Sequence, residues 1–184
     1  MSIKKKSLIV AATAASYFLL FELNEYLFSS FGYSEGVTWI FLPSGLRLVF
    51  ILLFAEWGAI GIALASITTG YLFQFEGNLL TALGAGFISG FAPWLAWRIS
   101  IDRFDLDVNL NKLTATTLIR VSVMFAVLSP VLHQVWYSFR GQTENFIRST
   151  AVMAAGDLIG TLVVLYTAKW AVTRFTATVN RETS

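Results

Sequence analysis

The sequence predicts an all-α fold: a polytopic transmembrane helix bundle of about six spans, with both termini in the cytoplasm. Three observations lead there. Of 184 residues, 56% are hydrophobic and only 13% are charged, where water-soluble domains carry about 25% charged residues. Long apolar stretches recur that can cross about 30 Å of hydrocarbon as helices rising about 1.5 Å per residue. The basic residues gather on one side of those stretches.

The expected spans are Ser7 to Phe28, Val37 to Ala55, Trp57 to Phe75, Asn78 to Trp97, Leu113 to Trp136 and Phe146 to Val172, so residues 1–184 form a single transmembrane domain. The first follows Lys4, Lys5 and Lys6. Its run is too long for a cleaved leader, and Glu22 and Asn24 stand where a small-residue cleavage site belongs, so it reads as an uncleaved span. Glu56-Trp57-Gly58 and Glu76-Gly77-Asn78 are very short connections that make the middle helices antiparallel neighbours. A β-barrel would need strands of about ten residues alternating polar and apolar. Runs such as Ile51-Leu52-Leu53-Phe54 and Leu162-Val163-Val164-Leu165 do not alternate, and in lipid a helix satisfies its own backbone. The last span is long enough to tilt or project.

Orientation follows from charge. With the N-terminus inside, Lys4, Lys5, Lys6, Arg98, Arg103, Lys112, Lys169, Arg174 and Arg181 are cytoplasmic, while only Arg140 and Arg148 lie outside. The connector from Ile99 to Lys112, with Asp102, Arg103, Asp105 and Asp107, reads as solvated chain or as a docking surface for a partner. Its carboxylates are too few for a metal site.

The chain has no cysteine and one histidine, which excludes disulfides, thiolate chemistry and multi-histidine metal sites. No metal or cofactor is expected. The formal charge of +2 is a topology signal at helix ends, so nucleic acid is not an expected partner. Pro43-Ser44 and Ser129-Pro130 are too little to make an internal repeat. The tryptophans Trp39, Trp57, Trp94, Trp97, Trp136 and Trp170 fall near span boundaries, as aromatic belts do.

Ionisable groups inside spans are the informative ones, because each costs a few kcal/mol in hydrocarbon unless it finds a partner or water. Arg47 lies near the middle of the second span and Asp157 near the middle of the sixth. Matched depth predicts a direct pair, either a structural staple or part of a polar, ligand-binding pocket. Glu22 is a second partner for Arg47 or a protonatable group in a cavity, while Glu25 reaches interfacial water. Arg120 snorkels toward the cytoplasm. His133 closes the outer end of the fifth span as a polar anchor, with a pH-responsive role as the alternative. A Ser/His/Asp triad would have to join His133 to Asp157, about half a bilayer deeper, so no enzyme is expected. Small residues at Gly86-xxx-Gly90 and Gly156-xxx-Gly160 permit close helix packing, within the chain or in a homo-oligomer.

Two segments resemble a known family. Trp39, Pro43 and Gly45 in Trp39-Ile-Phe-Leu-Pro-Ser-Gly, with Gly156, Asp157 and Gly160 in Gly156-Asp-Leu-Ile-Gly, are similar to short motifs of the first class of membrane-associated sensor domains of bacteria. The resemblance implies a sensory module of the bacterial inner membrane, of a type usually fused to a histidine kinase or a cyclic-dinucleotide enzyme; with about six spans where the family commonly has more, this chain departs from the pattern and is expected to be a stand-alone version that signals to a separate membrane or cytoplasmic protein. The alternatives are a small-solute transporter, or its substrate-binding membrane subunit, and an accessory subunit of a larger membrane complex.

Overall fold

The computed structural model describes residues 1–104 and 114–182 and is 84% helical. Helix α1 spans Ile3–Phe28. A 3-10 turn, Ser29–Phe31, leads into a small antiparallel hairpin of β1 (Gly32–Ser34) and β2 (Val37–Thr38). Helices α2 (Pro43–Phe54) and α3 (Glu56–Thr69) follow, and α3 runs on into a π-helical turn, Gly70–Gln74. Helices α4 (Leu79–Phe104), α5 (Ala115–Phe139) and α6 (Phe146–Glu182) complete the bundle. Asp105, Asp107 and Lys112 of the expected connector lie outside the described residues, as do the side chains of Lys169, Arg174 and Arg181.

Among the described residues, four helices are long and apolar enough to cross a membrane: α1, α4, α5, and α6 as far as Ala168. Polar residues start them. Ser2 accepts from the Lys5 N–H, Thr114 from Thr117 and Asn145 from Arg148, each meeting a donor that the first turn leaves unpaired. Large apolar side chains also stud their outward faces, Leu19, Phe87, Val127 and Ile147 among them, as a lipid-solvated surface requires.

The second expected span differs from its sequence reading. Helix begins only at Pro43, which occupies the first helical turn where its missing N–H is harmless. Its 12 residues cover about 18 Å at about 1.5 Å each, short of the hydrocarbon thickness. Upstream, the backbone is committed elsewhere: the Trp39 N–H donates to the Phe31 carbonyl, Phe41 to the Gly156 carbonyl and Leu42 to the Asn24 side chain. The chain then reverses between α2 and α3 at Ala55 alone, whose φ is 47°.

Glycines let this irregular stretch lie against α6. A Cβ on Gly156 would overlap the Thr38 carbonyl oxygen, and one on Gly160 the Phe41 carbonyl. Gly86 and Gly90 are used the same way against Ile67, Ala63 and Ala59 of α3. Both small-residue pairs are therefore occupied inside the monomer.

The buried side chains form two apolar clusters. One contains Tyr17, Leu48, Ile51, Ile62, Trp97, Val121 and Phe125. The other, at the hairpin end, contains Val37, Phe75, Ala82, Tyr137, Val152 and Met153. A polar layer separates them, and chain order shows it: Ser89 falls between Ala85 and Ala96 on α4, and Ser129 and His133 between Phe125 and Tyr137 on α5.

We expect Gly160→Ala and Gly156→Ala each to destabilise the protein by about 1–3 kcal/mol, the usual range for overpacking. Gly32→Ala, whose Cβ would meet only the Ser29 carbonyl at 3.3 Å, serves as the mild comparison. Thermal unfolding in detergent measures all three, and equal stability would show that the α6 glycines are not close-packed.

Candidate functional site

The polar layer is built around Arg47, which α2 carries into the middle of the bundle at 3% exposure. Its guanidinium is served by one hydroxyl. Nη2 donates to Tyr17 Oη at 2.7 Å and Nε to the same oxygen at 3.1 Å. The guanidinium carbon also lies 5.0 Å from the Phe41 ring centre and 5.5 Å from that of Tyr17, within range of cation–π attraction. Nη1 is buried and has no hydrogen-bond partner.

Asp157 is fully buried on α6, and neither carboxylate oxygen accepts a hydrogen bond. The expected direct pair is thus not made. The two charges lie close enough to interact through space, and the Ser129 hydroxyl approaches the carboxylate from α5 without completing a bond. What α2 and α6 share directly is Ser44, whose Oγ bonds to the Asp157 backbone carbonyl at 2.8 Å and lies 3.3 Å from Thr161 Oγ1. A staple therefore exists, but hydroxyls and backbone make it.

His133 departs further from expectation. It is no interfacial anchor: it is 1% exposed, inside the layer. Nδ1 lies 2.8 Å from the Ser129 carbonyl, and Nε2 lies 3.2 Å from the Ala85 carbonyl and 3.3 Å from Ser89 Oγ, which accepts from Ser66 Oγ at 2.9 Å. The resulting polar line runs from α3 through α4 to α5 and ends at Ser129 beside Asp157. His133 is one hydroxyl from Asp157, far nearer than half a bilayer, yet its Nδ1 is bonded to a carbonyl and not to the carboxylate.

Glu22 does not join the layer. The buried face of α1 is Thr13, Tyr17, Phe21 and Asn24, and a residue one step past Phe21 is turned about 100° away. Glu22 is accordingly exposed. The inner position belongs to Asn24, the acceptor for the Leu42 N–H at 2.9 Å.

A small cavity of about 20 Å³ lies within the layer, lined by Arg47, Ser66, Gln74, Ser89, His133 and Tyr137 among others. A polar space of this size holds about one water and falls well below the ≈ 300–1,000 Å³ of a small-molecule pocket. Tyr17, Ser66, Gln74 and Ser89 escaped the sequence reading. Tyr17 alone carried a signal, since a tyrosine in mid-span lies outside the interfacial belt.

We expect Tyr17→Phe to cost about 1.5–3 kcal/mol, because it strips a buried cation of its one hydrogen-bonding side chain. In double-mutant cycles the Tyr17–Arg47 coupling should exceed the Arg47–Asp157 coupling. The reverse order, read from unfolding midpoints, would make the two charges the primary contact.

No protein family, no curated protein and no solved structure matches the chain, so no relative assigns this layer a task.

Proposed function

We propose that this protein is a non-enzymatic signalling module of the bacterial inner membrane, in which the buried polar layer is the element that changes state and a separate protein receives the result. The carrying observation is the unmatched charge: Arg47 Nη1, on a residue that lines a cavity of about 20 Å³, and both Asp157 oxygens are buried without partners. An unpaired buried charge is expensive. A site left in that condition has a second arrangement, or a second protonation state, within reach.

The proposed topology is six crossings with both termini cytoplasmic. The four long apolar helices, with α2 and α3 plus its π-turn as a shorter antiparallel pair, support it. So does Lys6, which sits 4.5 Å over the Trp57 ring at the end opposite the hairpin, as an interfacial cation and aromatic would. The resemblance to membrane-associated sensor domains gains weight from one contact. Its two short motifs meet: a Cβ on Gly45 would lie 3.0 Å from the Gly160 carbonyl, and the Phe41 N–H bonds to Gly156. A transporter reading finds less support, because the cavity would not admit a solute larger than water.

Single cysteines in this cysteine-free chain test the topology. Glu35→Cys and Gln142→Cys should react with an impermeant thiol reagent on intact cells, and Ser2→Cys only after permeabilisation; labelling of Ser2→Cys and Glu35→Cys from one side would refute six crossings. For signalling, Asp157→Asn should change the output of a partner kinase or cyclic-dinucleotide enzyme by about fivefold, the population change that ~1 kcal/mol brings. Identical phosphoprotein and cyclic-dinucleotide levels in wild type, deletion and variant would end this reading.

A further inference from the structure

The hairpin end of the bundle carries a concavity of its own, apart from the polar layer. A cleft of about 670 Å³ opens between the hairpin, the turn that joins α5 to α6 and the first turn of α6. Tyr33 and Glu35 reach it from the hairpin, Gln142 and Glu144 from the turn, and Arg148 and Ser149 from α6. Its volume falls within the ≈ 300–1,000 Å³ of small-molecule pockets.

The walls are held by bonds between elements. Gly141, at φ 71°, reverses the chain after α5. The Gln142 N–H returns to the Tyr137 carbonyl at 2.9 Å, and the Thr143 hydroxyl donates to the Gln134 side chain at 3.0 Å, which fixes the turn to α5. Gln142 Nε2 donates to a Glu35 carboxylate oxygen at 3.0 Å and ties the turn to the hairpin. Walls set in advance lower the ordering cost of binding.

The charges in the cleft are of both signs. Glu35, Glu144 and Arg148 are exposed, and among the described residues none of the three forms an ion pair. Arg148 has its guanidinium carbon 5.3 Å from the centre of the Tyr33 ring, a contact that engages the charge and leaves its N–H donors unspent. Glu35 accepts one bond from Gln142, and a carboxylate has room for about four. Ser149, although only 3% exposed, lines the cleft, and its hydroxyl bonds to no described residue.

This set of groups discriminates between ligands. A simple anion would gain Arg148 but meet two carboxylates, and a simple cation would gain the carboxylates but meet the guanidinium. A molecule with one charge of each sign complements both, and the planar fork of an arginine suits a carboxylate in particular. The neighbouring cleft of about 180 Å³ shares Glu35, and its other charged residue is Glu25, so it offers a carboxylate nothing.

We infer that the cleft at Arg148 binds a small zwitterion, a free amino acid or a short peptide, with Arg148 and the Ser149 hydroxyl holding its carboxylate and Glu144 and Glu35 its ammonium group. The inference deepens the signalling reading by giving it a stimulus, and rests on that reading only for the consequence of binding. Ser149, Val152, Met153, Gly156 and Asp157 follow one another along the buried face of α6, at the spacing of successive helical turns. A ligand that grips the first turn of α6 therefore acts on the helix that carries Asp157.

The test is calorimetric titration of the full chain in detergent with the standard amino acids and with alanine di- and tripeptides, each compared with its N-acetyl and C-terminal amide derivatives. At least one zwitterion should bind with a millimolar or lower dissociation constant, and lose about tenfold or more when either charge is masked; whether amino acid or peptide binds more tightly identifies the source. Absence of binding by every probe, or equal binding of a masked form, overturns the proposal. Arg148→Gln and Glu144→Gln should each weaken binding by about tenfold or more while the unfolding temperature without ligand stays that of the wild type. Glu25→Gln, in the neighbouring cleft, should leave the affinity unchanged. Wild-type affinity in Glu144→Gln, the variant that decides should Arg148→Gln fail to fold, or an equal loss in Glu25→Gln, refutes the assigned cleft. Zwitterion binding with no change in any partner's output would fail the signalling reading alone. Output that depends on Asp157 without zwitterion binding would fail this inference alone.

Discussion

A guanidinium at the depth of Arg47 must be met by the protein, because hydrocarbon offers nothing and the charge cannot be shed. Tyr17 meets it, with one oxygen taking two donors, and that contact dictates how α1 is turned. With Tyr17 inward, the helix period brings Thr13, Phe21 and Asn24 to the same face and sends Glu22 outward. Phe41 must also reach the cation, and a regular helix from Val37 onward would not carry it there. The hairpin and the open backbone of residues 39–42 do.

That open backbone lies inside a membrane bundle, where irregular chain is tolerated only when protein satisfies its polar groups. Asn24 takes the Leu42 N–H, Gly156 takes Phe41 and Phe31 takes Trp39. Such bonds need the strand and α6 nearly in contact, which Gly156 and Gly160 allow and any side chain would prevent. The glycine pair, Asn24 and Tyr17 are therefore parts of one arrangement that positions Arg47. Asp157 stands one residue from Gly156, so the same close approach brings its backbone carbonyl to Ser44 and its carboxyl into the polar layer.

Much of this was legible in the sequence where apolar length alone decides. The expected first, fourth, fifth and sixth spans start within a few residues of α1, α4, α5 and α6, since only a helix buries that much backbone in lipid. Arg47 and Asp157 were recognisable as a shared centre because charge in hydrocarbon is rare. Depth, however, is not contact: side-chain direction decides the latter, and it follows helix rotation that low-contrast apolar sequences scarcely encode. α1 is apolar nearly all round, so nothing marked Glu22 as outward. His133 misled for a related reason. Its neighbours Trp136 and Tyr137 suggested an interface, but the helix continues to Phe139 and leaves the histidine a turn and a half inside. The shortened α2 was hidden because Val37 and the residues Trp39, Ile40, Phe41 and Leu42 are as apolar as a span.

The two apolar clusters flank the polar layer unequally, and the difference bears on what such a protein can do. A carrier must open its central site to each side in turn. Here the cluster of Leu48, Ile51, Ile62 and Phe125 closes one end with large fully buried side chains, whereas at the other end a glutamine and a glycine turn separate the layer from an acidic cleft. A layer closed so firmly on one side does not suit alternating access, whereas a changed balance between Arg47 and Asp157 would act on α2 and α6, the helices that carry them, and α6 continues without a break to Glu182.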